Sequence, residues 1–229
     1  MIKAILFDFN GVIIDDEPIQ LKAYQQALEP LGISLTEEQY YAQMGQDDRG
    51  FLDAIFRGVG RELSEAERAG LIDRKSELHH SMIEDELPLF PGVVAFIKSA
   101  ARHFTLGVVS MARRIEIDDV LERAGLTADF PVIVSAEDAR ACKPDPDCCI
   151  QAFRRMDRYR MENDHNPLTR EECLVIEDSP PGVQAGRAAG MRTLGVTNTV
   201  DAAALRAAGA EVVTASLFDW TIDSVHRLY

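Results

Sequence analysis

The chain has 229 residues, of which 46% are hydrophobic and 27% are charged, and its formal net charge is −14 at pH 7. This length allows one large domain, or a core with a smaller unit, and the apolar content is sufficient for a sizeable core. Because the chain is so acidic, it would repel a phosphate backbone, and we do not expect nucleic acid as a partner. No stretch approaches the ~20 apolar residues of a membrane span, so we do not expect a membrane as a partner either.

Short apolar runs alternate with helical stretches along most of the chain. Strands are predicted at 3–7, 105–110, 132–135, 173–177, 193–196 and 211–213. Helices are predicted between them, at 93–102, 114–124, 146–159, 181–189 and 202–207. Most of the strand runs are continuously apolar, which is typical of parallel strands buried on both faces. The pattern therefore predicts an α/β fold with a Rossmann-like, doubly wound parallel sheet.

Residues 16–87 contain no convincing strand and interrupt this alternation. A helix is predicted at 18–28, and Thr36 with Gln39 and Ser64 with Glu67 have the spacing of capping boxes. Further helical periodicity follows, with an apolar face comprising Leu71, Leu78 and Met82. We therefore predict an all-helical cap at 16–87, inserted after the first strand of a core formed by 1–15 and 88–229. Such an insert beside a strand end can serve as a lid.

The cysteines give no sign of a zinc site or of a disulfide framework. Cys148 and Cys149 are adjacent, and neither Cys142 nor Cys173 completes a paired spacing. Free thiols in a reducing compartment are the simplest interpretation. Because Asp8 interrupts the first apolar run too early for a secretory signal, we expect a cytoplasmic protein.

Polar motifs follow four of the predicted strands. They are Asp8-Phe-Asn10-Gly11, Ser110, Lys143-Pro-Asp-Pro146 and Glu177-Asp178-Ser-Pro-Pro-Gly182. Ligands in open α/β sheets bind beyond the carboxyl ends of the strands. In this order and spacing the motifs resemble those of the haloacid dehalogenase superfamily, especially its β-phosphoglucomutase-like and phosphoglycolate-phosphatase-like members. The resemblance covers the whole chain, including the helical cap.

The resemblance implies a Mg²⁺-dependent reaction through an aspartyl-phosphate. Asp8 is the expected nucleophile, since attack by a carboxylate splits one difficult step into two. Asp8, the backbone carbonyl of Asn10 and Asp178 are the expected Mg²⁺ ligands, with Glu177 as a further ligand or an outer acid. The Glu177-Asp178 pair would also suit the start of a helix, where the helix dipole favours acids.

Other residues are implied in substrate binding. Ser110, with Met111 beside it, and Lys143 would hold the phosphoryl group. In the cap, Arg49 and Lys75 would contact the rest of a small phosphorylated metabolite, although both also fit ordinary surface cations.

Asn10 departs from the family pattern, because phosphatase relatives carry a second aspartate there. That acid protonates the leaving group and then activates water. Such acid–base help is worth ~10²–10⁴-fold, and an amide cannot supply it because it has no titratable proton near neutral pH. Four explanations remain open: Asp15, Asp16 or Glu17 supplies the proton; the reaction needs no acid; catalysis is lost and binding kept; or Asn10 is engineered or deamidates to aspartate.

A second departure is Gln20, where many mutase-like relatives carry a histidine. The five histidines offer no replacement by motif and are taken as structural or exposed. The favoured function is a Mg²⁺-dependent phosphatase that acts as a monomer or weak homodimer. A phosphosugar mutase, a non-catalytic phosphometabolite-binding protein and a haloacid dehalogenase are the alternatives.

Overall fold

The computed structural model describes residues 1–218 and 220–229. Its centre is a six-stranded sheet in which every neighbouring pair is parallel, in the order β3-β2-β1-β4-β5-β6. The strands are β1 (Ala4–Phe7), β2 (Thr105–Val109), β3 (Val132–Val134), β4 (Cys173–Glu177), β5 (Arg192–Val196) and β6 (Val212–Thr214). The doubly wound α/β fold predicted from the continuous apolar runs is confirmed.

Helices pack on both faces of this sheet and also make up the segment that follows β1. Four of them, α1 (Glu17–Leu28), α2 (Glu37–Tyr41), α3 (Asp48–Gly58) and α4 (Glu65–Met82), follow β1 directly. The others are α5 (Val93–Ala100), α6 (Arg114–Arg123), α7 (Asp147–Glu162), α8 (Pro180–Ala188), α9 (Ala202–Ala208) and α10 (Ile222–Leu228). Alternate residues of β1 point to opposite faces, so that Ile5 and Phe7 join one apolar cluster and Ala4 and Leu6 join another.

Helices α1 and α3 bury a third apolar cluster of their own around Tyr24, Leu28, Phe51 and Phe56. This is what a helical cap requires, since a helix must bury its apolar face against another element. The exact division into 1–15 with 88–229 and 16–87 stays a prediction. Helices α3 and α10 were not predicted as separate elements. The apolar residues of α3, Phe51, Leu52, Ile55 and Phe56, do share one buried helix face, whereas α10 has only seven residues.

Helix α4 differs from its prediction in the face that it buries. Leu71, Leu78 and Met82 are only partly buried, whereas the fully buried side chains of this helix are Lys75 and His79. Burying a charged or titratable group is costly unless it is paired. The partners of Lys75 and His79 therefore decide how α4 packs, and both lead to the site described below.

The sequence-based expectations for cysteines and helix caps agree with the structure. All four cysteines are free thiols. Both predicted capping boxes are formed: Thr36 and Gln39 open α2, and Ser64 and Glu67 open α4. In the described part of the chain, no helix has both the length and the apolar character needed to cross a membrane.

The capping box of α4 gives a direct test of the fold. In Ser64→Ala the backbone N–H of Glu67 loses the Ser64 hydroxyl that accepts from it at 3.3 Å. We expect a loss of about 0.5–2 kcal/mol in the free energy of unfolding, measured by urea denaturation. Ser34→Ala, at an exposed position outside any helix, is the matched control and should change stability little; equal losses in the two variants would contradict the capping role.

Candidate active site

Parallel pairing brings the polar ends of three strands to one edge of the sheet. Phe7 of β1 lies opposite Val108 of β2 and Ile176 of β4. The residues just beyond these pairs, including Asp8 and Glu177, are therefore neighbours at the carboxyl ends of the strands. A cavity lies over this edge and is lined both by the strand ends and by helices α1 to α4.

Lys143 joins two carboxylates at the floor of this cavity. Its Nζ lies 3.0 Å from Asp8 Oδ1 and 2.5 Å from Glu177 Oε1, and it donates to the Val109 carbonyl at 3.2 Å. Burial opposes the charged form of Lys143, but the charges of Asp8 and Glu177 outweigh burial and hold its pKa well above the usual value. The lysine is therefore a fixed cation beside the Asp8 carboxylate.

Asp178 completes an acidic cluster with Asp8 and Glu177. One carboxylate oxygen from each of the three residues lies within 4.8 Å of the other two. Burial, together with the charges of the neighbouring acids, raises the pKa of both Glu177 and Asp178. One lysine does not balance three carboxylates, and carboxylate oxygens are the ligands that hard divalent cations prefer. The donor set therefore fits Mg²⁺.

Two glycines allow the backbone to approach these acids. Gly11 has φ of +74°, and a Cβ there would lie 1.9 Å from Asp178 Oδ2. A Cβ at Gly182 would lie 1.9 Å from the carboxylate of Glu177. Both glycines belong to motifs quoted from the sequence, and the structure gives their physical reason: any side chain would displace a carboxylate of the cluster.

A buried ion-pair network forms the opposite wall of the cavity. Lys75 Nζ lies 3.1 Å from Asp48 Oδ1 and 3.1 Å from Glu116 Oε1. Tyr24 donates its hydroxyl to Asp48, and Ser76 donates to Glu116 at 2.6 Å. Burial lowers the pKa of Lys75, but the two carboxylates outweigh that effect and raise it. Lys75 is thus already neutralised by two acids, one on α3 and one on α6.

Asn10 belongs to a second buried polar cluster, which is centred on Asp16. Asn10 Nδ2 lies 3.0 and 2.9 Å from the two Asp16 oxygens, Gln20 Nε2 donates to Asp16 Oδ2 at 3.0 Å, and His79 Nε2 lies 2.8 Å from the same oxygen. Because a carboxylate accepts and does not donate, the amide nitrogen of Asn10 must face Asp16 and its oxygen must point away.

Of the remaining predicted site residues, Ser110 and Met111 line the cavity and Arg49 does not. Ser110 and Met111 are buried and line the cavity, and the Ser110 hydroxyl accepts from the Ala112 amide at 3.1 Å. Arg49 does not join them: it is exposed, lies outside this cavity and pairs with Glu65 at 2.6 Å. Asn10 and Lys75 line the cavity, so every predicted residue except Arg49 lies in or directly beside it.

Several residues that line the cavity or contact its acids were missed from the sequence. Asp48 and Glu116 carry no motif, and their contribution depends on how α3 and α6 meet α4. Tyr40 hydrogen-bonds Glu17 at 2.7 Å across the cap, which no spacing rule reveals. Thr199 donates to Asp178 from the loop after β5, and only its position after a strand could have drawn attention to it.

The Asn10–Asp16 contact predicts an unusual response to Asn10→Asp. The new carboxylate would face Asp16 across the present 2.9–3.0 Å contacts, and two carboxylates so close cannot both ionise freely. We expect about 1–3 kcal/mol of stability to be lost. The loss should be larger at pH 8 than at pH 5, because the proton that one carboxyl must hold becomes harder to retain as the pH rises.

The transposed variant Asn10→Asp/Asp16→Asn is the control for this prediction. It restores one amide facing one carboxylate, so it should recover most of the stability that Asn10→Asp loses. The measurement is urea unfolding of both single variants and the double variant at the two pH values. Strictly additive effects would contradict the direct contact, since residues in contact show coupling.

Comparisons with known proteins agree with this arrangement. A family model described as haloacid dehalogenase-like hydrolase matches residues 5–196. The chain is 27% identical over 214 residues to a phosphorylated carbohydrates phosphatase of Thermotoga maritima, covering 91% of this chain and 92% of that protein. It is also 27% identical over 229 residues to the protein SUPPRESSOR OF QUENCHING 1 of Arabidopsis thaliana, covering 98% of this chain.

The chain spans only 20% of the length of that Arabidopsis protein. Among solved structures, a β-phosphoglucomutase from Clostridium difficile superposes with a TM-score of 0.86 at 21% identity, covering 100% of this chain and 97% of that one. This likeness supports the fold. The family match extends over most of the chain and includes all four strand-end motifs, and the chain therefore belongs to the haloacid dehalogenase-like hydrolases, in the branch that contains phosphatases and phosphoglucomutases.

Proposed function

We propose that this protein is a Mg²⁺-dependent phosphatase that cleaves the monophosphate ester of a small hydroxyl-rich metabolite through an aspartyl-phosphate at Asp8. The observation that carries the proposal is the position of Asp8, which shares Lys143 with Glu177 and has a carboxylate oxygen within 4.8 Å of those of Glu177 and Asp178, the residues that would hold a cation with it. A nucleophilic carboxylate needs nearby positive charge to accept an anionic phosphoryl group.

The residues around Asp8 have separate roles in binding the phosphoryl group and the cation. The Lys143 ammonium offsets the charges of the phosphoryl group and of the carboxylate that attacks it. The hydroxyl of Ser110, which lines the cavity, donates to a phosphoryl oxygen. Asp8, Glu177 and Asp178 would hold Mg²⁺, with the Asn10 carbonyl as a further oxygen ligand. The bound cation supplies charge neutralisation at the phosphoryl oxygens.

The cap side of the cavity favours a substrate with hydrogen-bond donors and no second anion. Two of its acceptor atoms, Gln20 Oε1 and Asp48 Oδ2, are buried without a partner among the described residues. Unpaired buried acceptors cost free energy until a donor reaches them. Glu17 and Glu116 add acidic groups, and Lys75 is already held by two carboxylates. Hydroxyl groups suit this wall, whereas a second phosphate would be repelled.

This charge distribution also favours hydrolysis over phosphosugar transfer. A mutase must hold a bisphosphate intermediate by its second phosphate, and the cap side offers no uncommitted cation among the residues described as lining the cavity. Gln20, where many mutase-like relatives have a histidine, donates to Asp16 and is engaged in the cluster around Asn10. The Thermotoga maritima relative, a phosphatase of phosphorylated carbohydrates, supports the same substrate class.

Asp8→Asn tests the nucleophile. With Mg²⁺ and p-nitrophenyl phosphate, we expect the wild-type protein to release nitrophenolate and to show a phosphorylated Asp8 by intact mass. The variant should lose both signals because an amide does not attack phosphorus. Asp85→Asn, at an exposed position, is the control and should behave as wild type. Release of nitrophenolate by the Asp8 variant at the wild-type rate would overturn the proposal.

The acidic cavity wall around Lys75 predicts that the enzyme prefers a monophosphate to a bisphosphate. A hexose monophosphate should have at least a tenfold higher kcat/KM than the corresponding bisphosphate, equivalent to about 1.4 kcal/mol. Glu116→Gln frees one side of Lys75 and should narrow that ratio. Because the change also weakens a buried pair, thermal unfolding must show that the variant is folded. A wild-type preference for the bisphosphate would contradict the proposed substrate class.

A further inference from the structure

Three carboxyl groups follow the Asn10 loop, and the structure separates them clearly. Asp15 is exposed and does not line the cavity. Asp16 is fully buried, and its two oxygens are taken by Asn10, Gln20 and His79. Glu17, the first residue of α1, is partly buried and lines the same cavity as Asp8.

We propose that Glu17 is the general acid and base of this enzyme, in place of the proton-transfer group that the amide of Asn10 cannot supply. This inference rests on the phosphatase function proposed above. It assigns a proton-transfer role to the cap, since Glu17 belongs to α1, whereas the nucleophile Asp8 belongs to the strand end.

The contacts of Glu17 leave one of its oxygens for the substrate. Tyr40 donates its hydroxyl to Glu17 Oε2 at 2.7 Å. In the described part of the chain, no residue hydrogen-bonds Oε1. The Tyr40 contact fixes the orientation of the carboxyl group, as a positioned general acid requires. The same face of α1 carries Gln20 and Tyr24 into the cavity, because positions three to four residues apart share a helix face.

The surroundings of Glu17 suit it to both roles at neutral pH. Burial raises the pKa of Glu17 to about 7, and the charges of Asp16 and Asp8 act in the same direction. The Tyr40 hydrogen bond and the Lys75 charge act in the opposite direction. The charge of Glu17 in turn contributes to raising the pKa of Tyr41 on α2 and of Asp178 after β4. A general acid–base group is most effective when its pKa is near the working pH.

Glu17 gives a proton in the first step and regains one in the second. In the first, an Asp8 oxygen bonds to phosphorus, the ester P–O bond breaks, and protonated Glu17 gives its proton to the departing alkoxide. In the second, the Glu17 carboxylate removes a proton from water while the water oxygen bonds to phosphorus and the Asp8–phosphorus bond breaks. Inorganic phosphate leaves, Asp8 is again a carboxylate and Glu17 is again protonated.

The decisive variant is Glu17→Gln, which keeps the shape of the side chain and removes the titratable proton. Nitrophenolate is a good leaving group and needs no acid, so the first step with p-nitrophenyl phosphate should persist in this variant. The second step should fall by ~10²–10⁴-fold, because the base is missing. We expect a burst of one nitrophenolate per active site, followed by a stalled phospho-Asp8 seen by intact mass.

Three comparisons accompany this variant. Glu17→Asp keeps a carboxyl group and should retain part of the steady turnover. Asp15→Asn removes the exposed neighbouring acid and should match wild type. In Tyr40→Phe the hydrogen bond that stabilises the Glu17 carboxylate is lost, so the pH at which dephosphorylation reaches half its maximum should shift upward. A purely structural role for Glu17 would leave that midpoint unchanged.

The outcomes distinguish this inference from the function on which it rests. Steady turnover by Glu17→Gln close to that of wild type overturns the role of Glu17 and leaves the phosphatase function standing. A wild-type protein that itself stalls after one equivalent also overturns the role of Glu17 as the base, and it limits the activity to phosphorylation of Asp8 without turnover. Absence of both phospho-Asp8 and nitrophenolate release in the wild type overturns the proposed function. If thermal unfolding shows that Glu17→Gln is unfolded, the Glu17→Asp turnover and the Tyr40→Phe midpoint decide.

Discussion

The buried ion pairs of Lys143 are the interaction on which the strand-end site depends. Removing a carboxylate from water costs several kcal/mol unless a partner compensates, and Lys143 compensates for Asp8 and Glu177 together. Asp178 adds a third acid without adding a cation. The excess negative charge is what makes the site suitable for a divalent cation, and Gly11 and Gly182 are constrained because any side chain there would disturb this arrangement.

The same requirement, that every buried polar or charged group must have a partner, governs how α4 packs against its neighbours. The residues that α4 buries most completely are Lys75 and His79, and each finds its partner outside the helix: Glu116 on α6 for Lys75, and Asp16 before α1 for His79. Apolar packing within the cap is a separate cluster. Polar contacts therefore form much of the cavity wall, which gives it acceptors for hydroxyl groups and little affinity for a second anion.

The parts of this structure that follow from local patterns could be predicted, and those that follow from tertiary pairing could not. Continuous apolar runs predicted the parallel sheet, and strand-end motifs predicted that Asp8, Lys143 and Asp178 would meet. The pairing of Glu116 with Lys75 depends on the packing of α6 against α4, and no periodicity in the sequence reveals that packing. Arg49 was expected in the site by resemblance, but it pairs with Glu65 on the cap surface.

The structure also gives Asn10 a role that the sequence did not indicate. In sequence it is a missing acid, but its amide serves as a donor to Asp16, which is fully buried. Asp16 is the N-cap of α1 and yet makes no capping hydrogen bond with its side chain, because its oxygens are engaged by Asn10 and its neighbours. An aspartate at position 10 would therefore meet another carboxylate rather than an open cavity. The carboxyl group nearest to Asn10 is that of Asp16, but it is fully buried and engaged, and the next residue along the chain, Glu17, is the acid that lines the cavity together with Asp8.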